Sequence, residues 1–306
     1  MRSIIKQLEQ PYRIKVRYKK NQKDIYHMVM NNMYMNGEGK VYKKQTLDSR
    51  YRRKIKQSIK NCIVFTNYQW DSILFINRLP KKKPEVTHWS FASGIKFDSH
   101  MILSEQNLAN LYEEEKTDVS HESYNQCFVS LESACSKLPK LPSSYLVIMQ
   151  SFDIVSFENF MSYIYVESSK EGGWKLGEWR NIKPSEFTHV DQAQIGMGFY
   201  NTASFFKNGT LHLRLSGYTK EKERVCILFD YYCDNSSVSV MEKDNIEMNR
   251  TGTSYYLGQI YVDVQSGNMI KATIEENYIA KQKGKKDENI IIKRRVLCEL
   301  EDVVNE

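Results

Sequence analysis

The chain has 306 residues, 41% of them hydrophobic and 26% charged, which fits a globular protein of one domain over 1–306 and excludes a disordered or collagen-like chain. The net charge of +7 is unevenly spread: residues 1–60 hold 17 Lys and Arg against 4 Asp and Glu, and the remainder is net acidic. No apolar run approaches the ~20 residues of a membrane-spanning helix, and Lys6 and Glu9 interrupt the start where a secretory signal would be apolar; a cytoplasmic location is expected, or the cell envelope or periplasm if a longer precursor precedes Met1.

Residues 2–10 have the length of a short helix stopped by Pro11, which lacks a backbone donor. From 12 to 19, Ile14, Val16 and Tyr18 alternate with Arg13, Lys15, Arg17 and Lys19, the pattern of a half-buried strand with a basic outer face. A second strand is expected over 25–35, rich in Met, a side chain that adapts to irregular apolar space. Asn36-Gly37-Glu38-Gly39 forms a turn and 40–44 the return strand. Over 48–60 the spacing predicts a helix: Asp48 suits an N-cap, and Tyr51, Ile55 and Ile59 share one face. The rest of that helix is basic, and it can either dock on a sheet or lie on an anionic surface.

Short strands are expected at 62–65, 70–76, 86–91 and 94–97, with the Pro- and Lys-rich segment 79–84 as an exposed loop. A helix is expected over 105–115, and 127–135 also has helical spacing. Leu138-Pro-Lys-Leu-Pro142 marks a sub-boundary near 138–144, between a basic half (1–137) and a strand-rich half (145–306). Two apolar stretches, 145–150 and 157–166, read as strands. Trp174 and Trp179 flank Gly177 and can pair across strands. Beyond 198 the alternation becomes regular, with strands over 198–206, 211–216, 225–232, 238–241, 255–264, 269–279 and 290–298. Asn208-Gly209 and Ser266-Gly267-Asn268 supply hairpin turns. With 20 Tyr, 13 Phe and only 14 Gly, the fold class is mainly β (α+β): a large curved antiparallel sheet or incomplete barrel with a few helices packed on it.

No phosphate-binding loop, nucleophile elbow or His-rich metal motif occurs. The six Cys contain no Cys-x-x-Cys pair, so free thiols are expected and no zinc site. Glu275-Glu276 reads as a solvated charge cluster. No enzyme activity and no cofactor are expected.

The stretch Gly258-Gln-Ile-Tyr-Val-Asp263-Val-Gln-Ser-Gly267-Asn-Met-Ile-Lys-Ala272, with the strand that follows it, resembles the late strands of lipoprotein-carrier-like proteins of the LolA/LolB type. The resemblance is confined mainly to 255–298. It implies a curved sheet holding an apolar or amphipathic, lipid-like ligand on its concave face, without enzymatic activity. The candidate lining is Met28, Met30, Tyr34, Tyr163, Phe199, Leu213 and Tyr261. The alternative partner is a nucleic acid or anionic membrane surface, met by the basic segment 1–60 through Arg50, Arg52, Arg53, Lys54 and Lys56.

Overall fold

The computed structural model describes residues 11–16, 18–59, 62–89, 94–104, 144–183, 205–240, 249–282 and 288–304. Twelve strands and one long helix follow in chain order: β1 (Lys23–Asn36), β2 (Val41–Ile59), β3 (Ile63–Arg78), β4 (Glu85–His88), β5 (Lys96–Ile102), α1 (Ser144–Ser169), β6 (Trp179–Ile182), β7 (Phe205–Lys207), β8 (Leu211–Glu221), β9 (Arg224–Val240), β10 (Arg250–Asp263), β11 (Met269–Gln282) and β12 (Glu288–Val304). The strands form one antiparallel sheet in the order β4-β3-β2-β1-β12-β11-β10-β9-β8-β6, with β5 also on β3 and β7 also on β9. The protein is therefore mainly β, and β1 pairs with β12 along its whole length, from Lys23↔Val304 to Asn36↔Ile290.

Period-two patterning sets one face of every long strand inward. Tyr26, Met28 and Met30 of β1 face the same side as Leu47 and Tyr51 of β2 and Val296 and Cys298 of β12, and all are buried. The turns follow their local chemistry. Asn36 Oδ1 accepts from the backbone N–H groups of Glu38 and Lys40 at 3.2 and 2.9 Å, tying the β1–β2 hairpin. At the β10–β11 turn the Asp263 carboxylate accepts from the Ser266 N–H and hydroxyl, and Gly267 takes a φ of +75°, which favours glycine.

Several elements differ from expectation. Residues 48–59 are the second part of β2, not a helix, and Lys60 lies outside the described residues. The inward residues there are Tyr51, Arg53 and Ile55; a charged side chain in an inward place broke the alternation and left an accidental four-residue spacing. The stretches 145–150 and 157–166 are not strands but parts of α1. A helix buried on all sides has no polar face, so its sequence lacks the 3.6-residue signature. Among the described residues of 12–19 there is no strand beyond a single bridge between Tyr12 and Trp174. Ile14, Val16 and Tyr18 do pack on the core, as the alternation implied. Asn208-Gly209 is not a hairpin turn. Lys207 pairs with Ser237 and Leu211 with Cys233, so the chain runs on along β9 through a bend. Gly209 is needed for close approach there, because a Cβ would lie 2.4 Å from the Asp234 carbonyl oxygen. The hairpin turn is Lys222-Glu223, with φ values of 46° and 63°. Trp174 and Trp179 do not pair: Trp174 packs edge-on against Phe229, and Trp179 against Tyr232. The expected helices at 2–10, 105–115 and 127–135, most of the strand at 198–206, and the segment 138–143 lie outside the described residues.

A candidate binding trough and the helix that fills it

The sheet bends around α1, and two contacts on one turn of the helix show how far. Glu158 accepts a hydrogen bond from Thr66 Oγ1 of β3 at 3.0 Å, and Phe160 packs on Tyr231 of β9 with ring centroids 4.7 Å apart. Along the sheet, β3 and β9 are six strand spacings apart, an arc of about 29 Å at ~4.8 Å per spacing. A half circle at the ~10 Å packing distance between layers measures about 31 Å, so the sheet encloses roughly half of the helix. Its concave face is a trough, and α1, 26 residues long and therefore about 39 Å from end to end, lies along it. Gly258 belongs to this curvature. Tyr231 reaches from β9 across β10 to donate to the Thr273 carbonyl of β11 at 2.6 Å, and a Cβ on Gly258 would meet the Tyr231 hydroxyl oxygen at 2.6 Å.

The helix is seated by polar groups as well as by its apolar surface. Gln150 Oε1 accepts from Ser49 Oγ at 2.8 Å and from Trp70 Nε1 at 3.2 Å. Asp153 Oδ2 accepts from Arg294 Nη1 at 2.6 Å, and Arg294 Nε donates to Glu276 Oε2, also at 2.6 Å. Ser254 Oγ donates to the other Glu276 oxygen. Toward its C-terminal end, Tyr165 donates to the Gly267 carbonyl at 2.6 Å and meets the Tyr18 hydroxyl at 2.9 Å. Ser168 Oγ accepts from the Ile14 N–H. Residues 12–16 and Tyr18 thus form a strap across this end of the helix.

Burial dominates the electrostatics. Asp153 is fully buried, and desolvation pushes its carboxyl up to about 7 although Arg294 opposes the shift. Glu158 is raised for the same reason, with hydrogen bonds from Ser99, Tyr68 and Thr66 and the charge of Arg53 pulling the other way. Arg53, 3% exposed, donates to Asp24 Oδ2 through Nη2 at 2.5 Å and Nε at 3.0 Å, and lies 5.0 Å from the Tyr18 ring centre. Beside Arg53 and Glu158 lies a cavity of about 10 Å³, room for about one water.

The predicted lining residues divide. Met28, Met30, Tyr34 and Leu213 are buried on the trough face. Tyr163 lies on α1 rather than on a strand. Tyr261 lies on the convex face, where its hydroxyl donates to Gln259 and Lys271 sits over its ring. Phe199 is outside the described residues. The predicted anion-binding residues divide too. Arg53 is inside the trough. Arg50, Arg52 and Lys56 are on the outer side, paired with Glu301, Asp71 and Asp98 at 2.7–2.8 Å; Lys54 follows Arg52 on that face. Glu276 is buried, and of the Glu275-Glu276 pair only Glu275 is solvated. No motif marks Asp153, Glu158 or Arg294: the first two are charges inside an otherwise apolar run, and Arg294 stands between Lys293 and Arg295, set inward only by the alternation of β12.

No known family model matches the chain, and no curated protein matches it. Among solved structures, the chain is similar to a lipovitellin described for its lipid–protein interactions, with 9% identity and a TM-score of 0.41 over 94% of this chain. This chain spans only 26% of that one. A putative exported protein with a YmcC-like fold from Bacteroides fragilis aligns at 6% identity and a TM-score of 0.23, covering 96% of this chain and 100% of that one. A triple mutant of the Rhodopseudomonas blastica porin aligns at 7% identity and a TM-score of 0.17, covering 90% and 99%. No described helix is long and apolar enough to cross a membrane.

Proposed function

We propose that the protein is a non-enzymatic binder of an apolar or amphipathic, lipid-like molecule, taken into the trough in place of α1. One observation carries this reading: the backbone ladder from β3 through β12 to β8 is complete without the helix, and the concave face it encloses is filled by the helix. Withdrawal of α1 breaks no strand pairing and bares an apolar floor that includes Met28, Leu47, Leu213, Ile260 and Val296. The polar contacts of α1 add little net hold to its apolar burial. Buried ion pairs roughly break even against well-packed apolar side chains, and Gln150, Asp153 and Glu158 recover water when they leave. An acyl chain brings apolar surface to the same floor with no buried charge to desolvate, so it competes for the seat.

The test combines a fluorescent acyl probe, dansyl-undecanoate, with amide hydrogen exchange on the full chain. The expected result is saturable binding of one probe per chain, with exchange accelerating over 144–169 and unchanged in β1, β2, β11 and β12. Absence of saturable binding, or binding that leaves 144–169 as protected as before, refutes the proposal.

A further inference from the structure

One hairpin of the sheet stands apart from the core. β3 and β4 pair from Leu74↔His88 to Asn77↔Glu85, and the turn between them is closed by the Lys82 N–H donating to the Leu79 carbonyl at 3.2 Å. Strands of the sheet elsewhere bury one side, but every residue of β4, Glu85 to His88, is exposed. So are Pro80 to Pro84 in the turn. A hairpin with neither side covered gains little from packing, and hairpins without a buried side are marginal in water.

Its charges have one sign. Lys81, Lys82 and Lys83 fill the turn. Beside it on the outer face Lys44 of β2 stands directly opposite Arg78 of β3, and both are exposed. Like charges directly opposite each other on a sheet are destabilising. Among the described residues none of these five cations forms an ion pair, and the Arg78 guanidinium donates to Thr46 Oγ1 at 3.1 Å. The one acid of the hairpin, Glu85, accepts from Asn77 Nδ2 at 3.1 Å. Farther along the face of β2, by contrast, Arg50 and Arg52 each hold a carboxylate, at 2.8 and 2.7 Å. Apolar surface lies among the cations. Val86 is 56% exposed, more than any other large apolar side chain described. It stands opposite Ile76, whose next outward neighbour on β3 is Arg78. The whole group spans β4, β3 and β2, two strand spacings or about 10 Å.

A bare polyanion would meet the cations and leave Val86 in water. An anionic bilayer meets both, because its charged head groups lie directly above an apolar boundary into which small apolar side chains sink. We infer that the β3–β4 hairpin and the adjoining face of β2 dock on an anionic phospholipid bilayer, with the three lysines of the turn, Lys44 and Arg78 against the head groups and Val86 in the acyl boundary. The negative surface relieves the repulsion between Lys44 and Arg78, and the hairpin gains the cover that the core does not give it. This contact goes beyond the trough reading and does not depend on what fills the trough.

The experiment floats the full chain with vesicles of phosphatidylcholine alone and of phosphatidylcholine mixed equally with phosphatidylserine. Binding is expected on the mixed vesicles, weakening as salt is added. Each basic side chain near an anionic leaflet contributes about fivefold in affinity, so Lys81→Gln, Lys82→Gln and Lys83→Gln together are expected to weaken binding on the order of 100-fold. Val86→Ser is expected to weaken it by up to about tenfold. Arg50→Gln with Arg52→Gln is expected to leave it unchanged. All these side chains are on the outer face, and an unchanged Tm shows that each variant is folded. Equal binding to the two kinds of vesicle, or native binding by the triple lysine variant, overturns the inference. So does an equal loss in the Arg50 and Arg52 variant, which moves the contact off the hairpin. Native binding by Val86→Ser shows attraction to charge alone and overturns the bilayer as partner. Binding to duplex DNA with the mixed vesicles left unbound shows a nucleic-acid surface and overturns it as well. The acyl-probe experiment tests the trough separately, so either reading can fail without the other.

Discussion

The seat of α1 carries a pH dependence whose size follows from Asp153. Its carboxyl is raised from 3.8 to about 7 in the folded protein, first by burial, with Glu276 adding repulsion and Arg294 opposing both. Tyr231 and Cys298 are the other titratable groups that feel its charge. A carboxyl that holds its proton more tightly when folded stabilises the folded state fully at low pH. That contribution is lost as the pH rises from about 4 through about 7. Three pH units at 1.36 kcal/mol each give an upper figure of ~4 kcal/mol, and the slope from one site cannot exceed about 1.4 kcal/mol per pH unit. Glu158, raised in the same direction, adds to it. Urea unfolding at pH 5, 6, 7 and 8 measures the effect. The expected stability falls across this range, and Asp153→Asn, which keeps an oxygen for Arg294 but no titrating proton, flattens much of the fall. A native protein whose stability stays level or rises from pH 5 to 7.5 refutes the reasoning, as does an Asp153→Asn variant that keeps the full slope.

Arg52 and Arg53 are neighbours in sequence with opposite fates. Arg53→Ala strips Asp24 of its buried partner and is expected to cost about 3–5 kcal/mol, whereas Arg52→Ala breaks an outer pair with Asp71 and costs less than about 1 kcal/mol; denaturant midpoints of the two variants read the difference. Gly258→Ala forces a Cβ against the Tyr231 hydroxyl and the Thr273 carbonyl and is expected to destabilise by ~2 kcal/mol, measured as a lowered Tm. Tyr165→Phe removes the hydrogen bond to the Gly267 carbonyl and costs ~1 kcal/mol, with faster exchange confined to the strap and the C-terminal turns of α1.

The parts of the fold that could be read in the sequence are those whose strands keep period-two alternation. β8, the first part of β9, β10 and β11 alternate cleanly, and Ser266-Gly267-Asn268 announces its turn; those strands and that hairpin are present. The curved antiparallel sheet anticipated from 255–298 is present as well. Reading failed in β2, where Arg53 inward between Tyr51 and Ile55 left a four-residue apolar spacing, and in α1, where burial is all-round; β12 was legible although Arg294 points inward. Glu275-Glu276 reads as one solvated cluster, yet in a strand adjacent residues face opposite sides, and Glu276 is buried. Of the residues put forward for the trough, four could be placed by alternation alone. Tyr261 fails the same rule by one position: Ile260 and Val262 beside it are the inward residues.

The residues that spoiled the sequence pattern also explain how the helix finds one position. A uniformly apolar helix in a uniformly apolar trough could slide or rotate with little change in buried area. Gln150, Asp153 and Glu158 prevent this, because each has a matching group at a single place on the sheet: Ser49 and Trp70, Arg294, and Thr66. A shift of one helical turn, about 5.4 Å, would strand all three in an apolar surround, at a cost of several kcal/mol for each ionised group left unpaired. These contacts therefore define the register of α1 without adding much to the net strength of its docking.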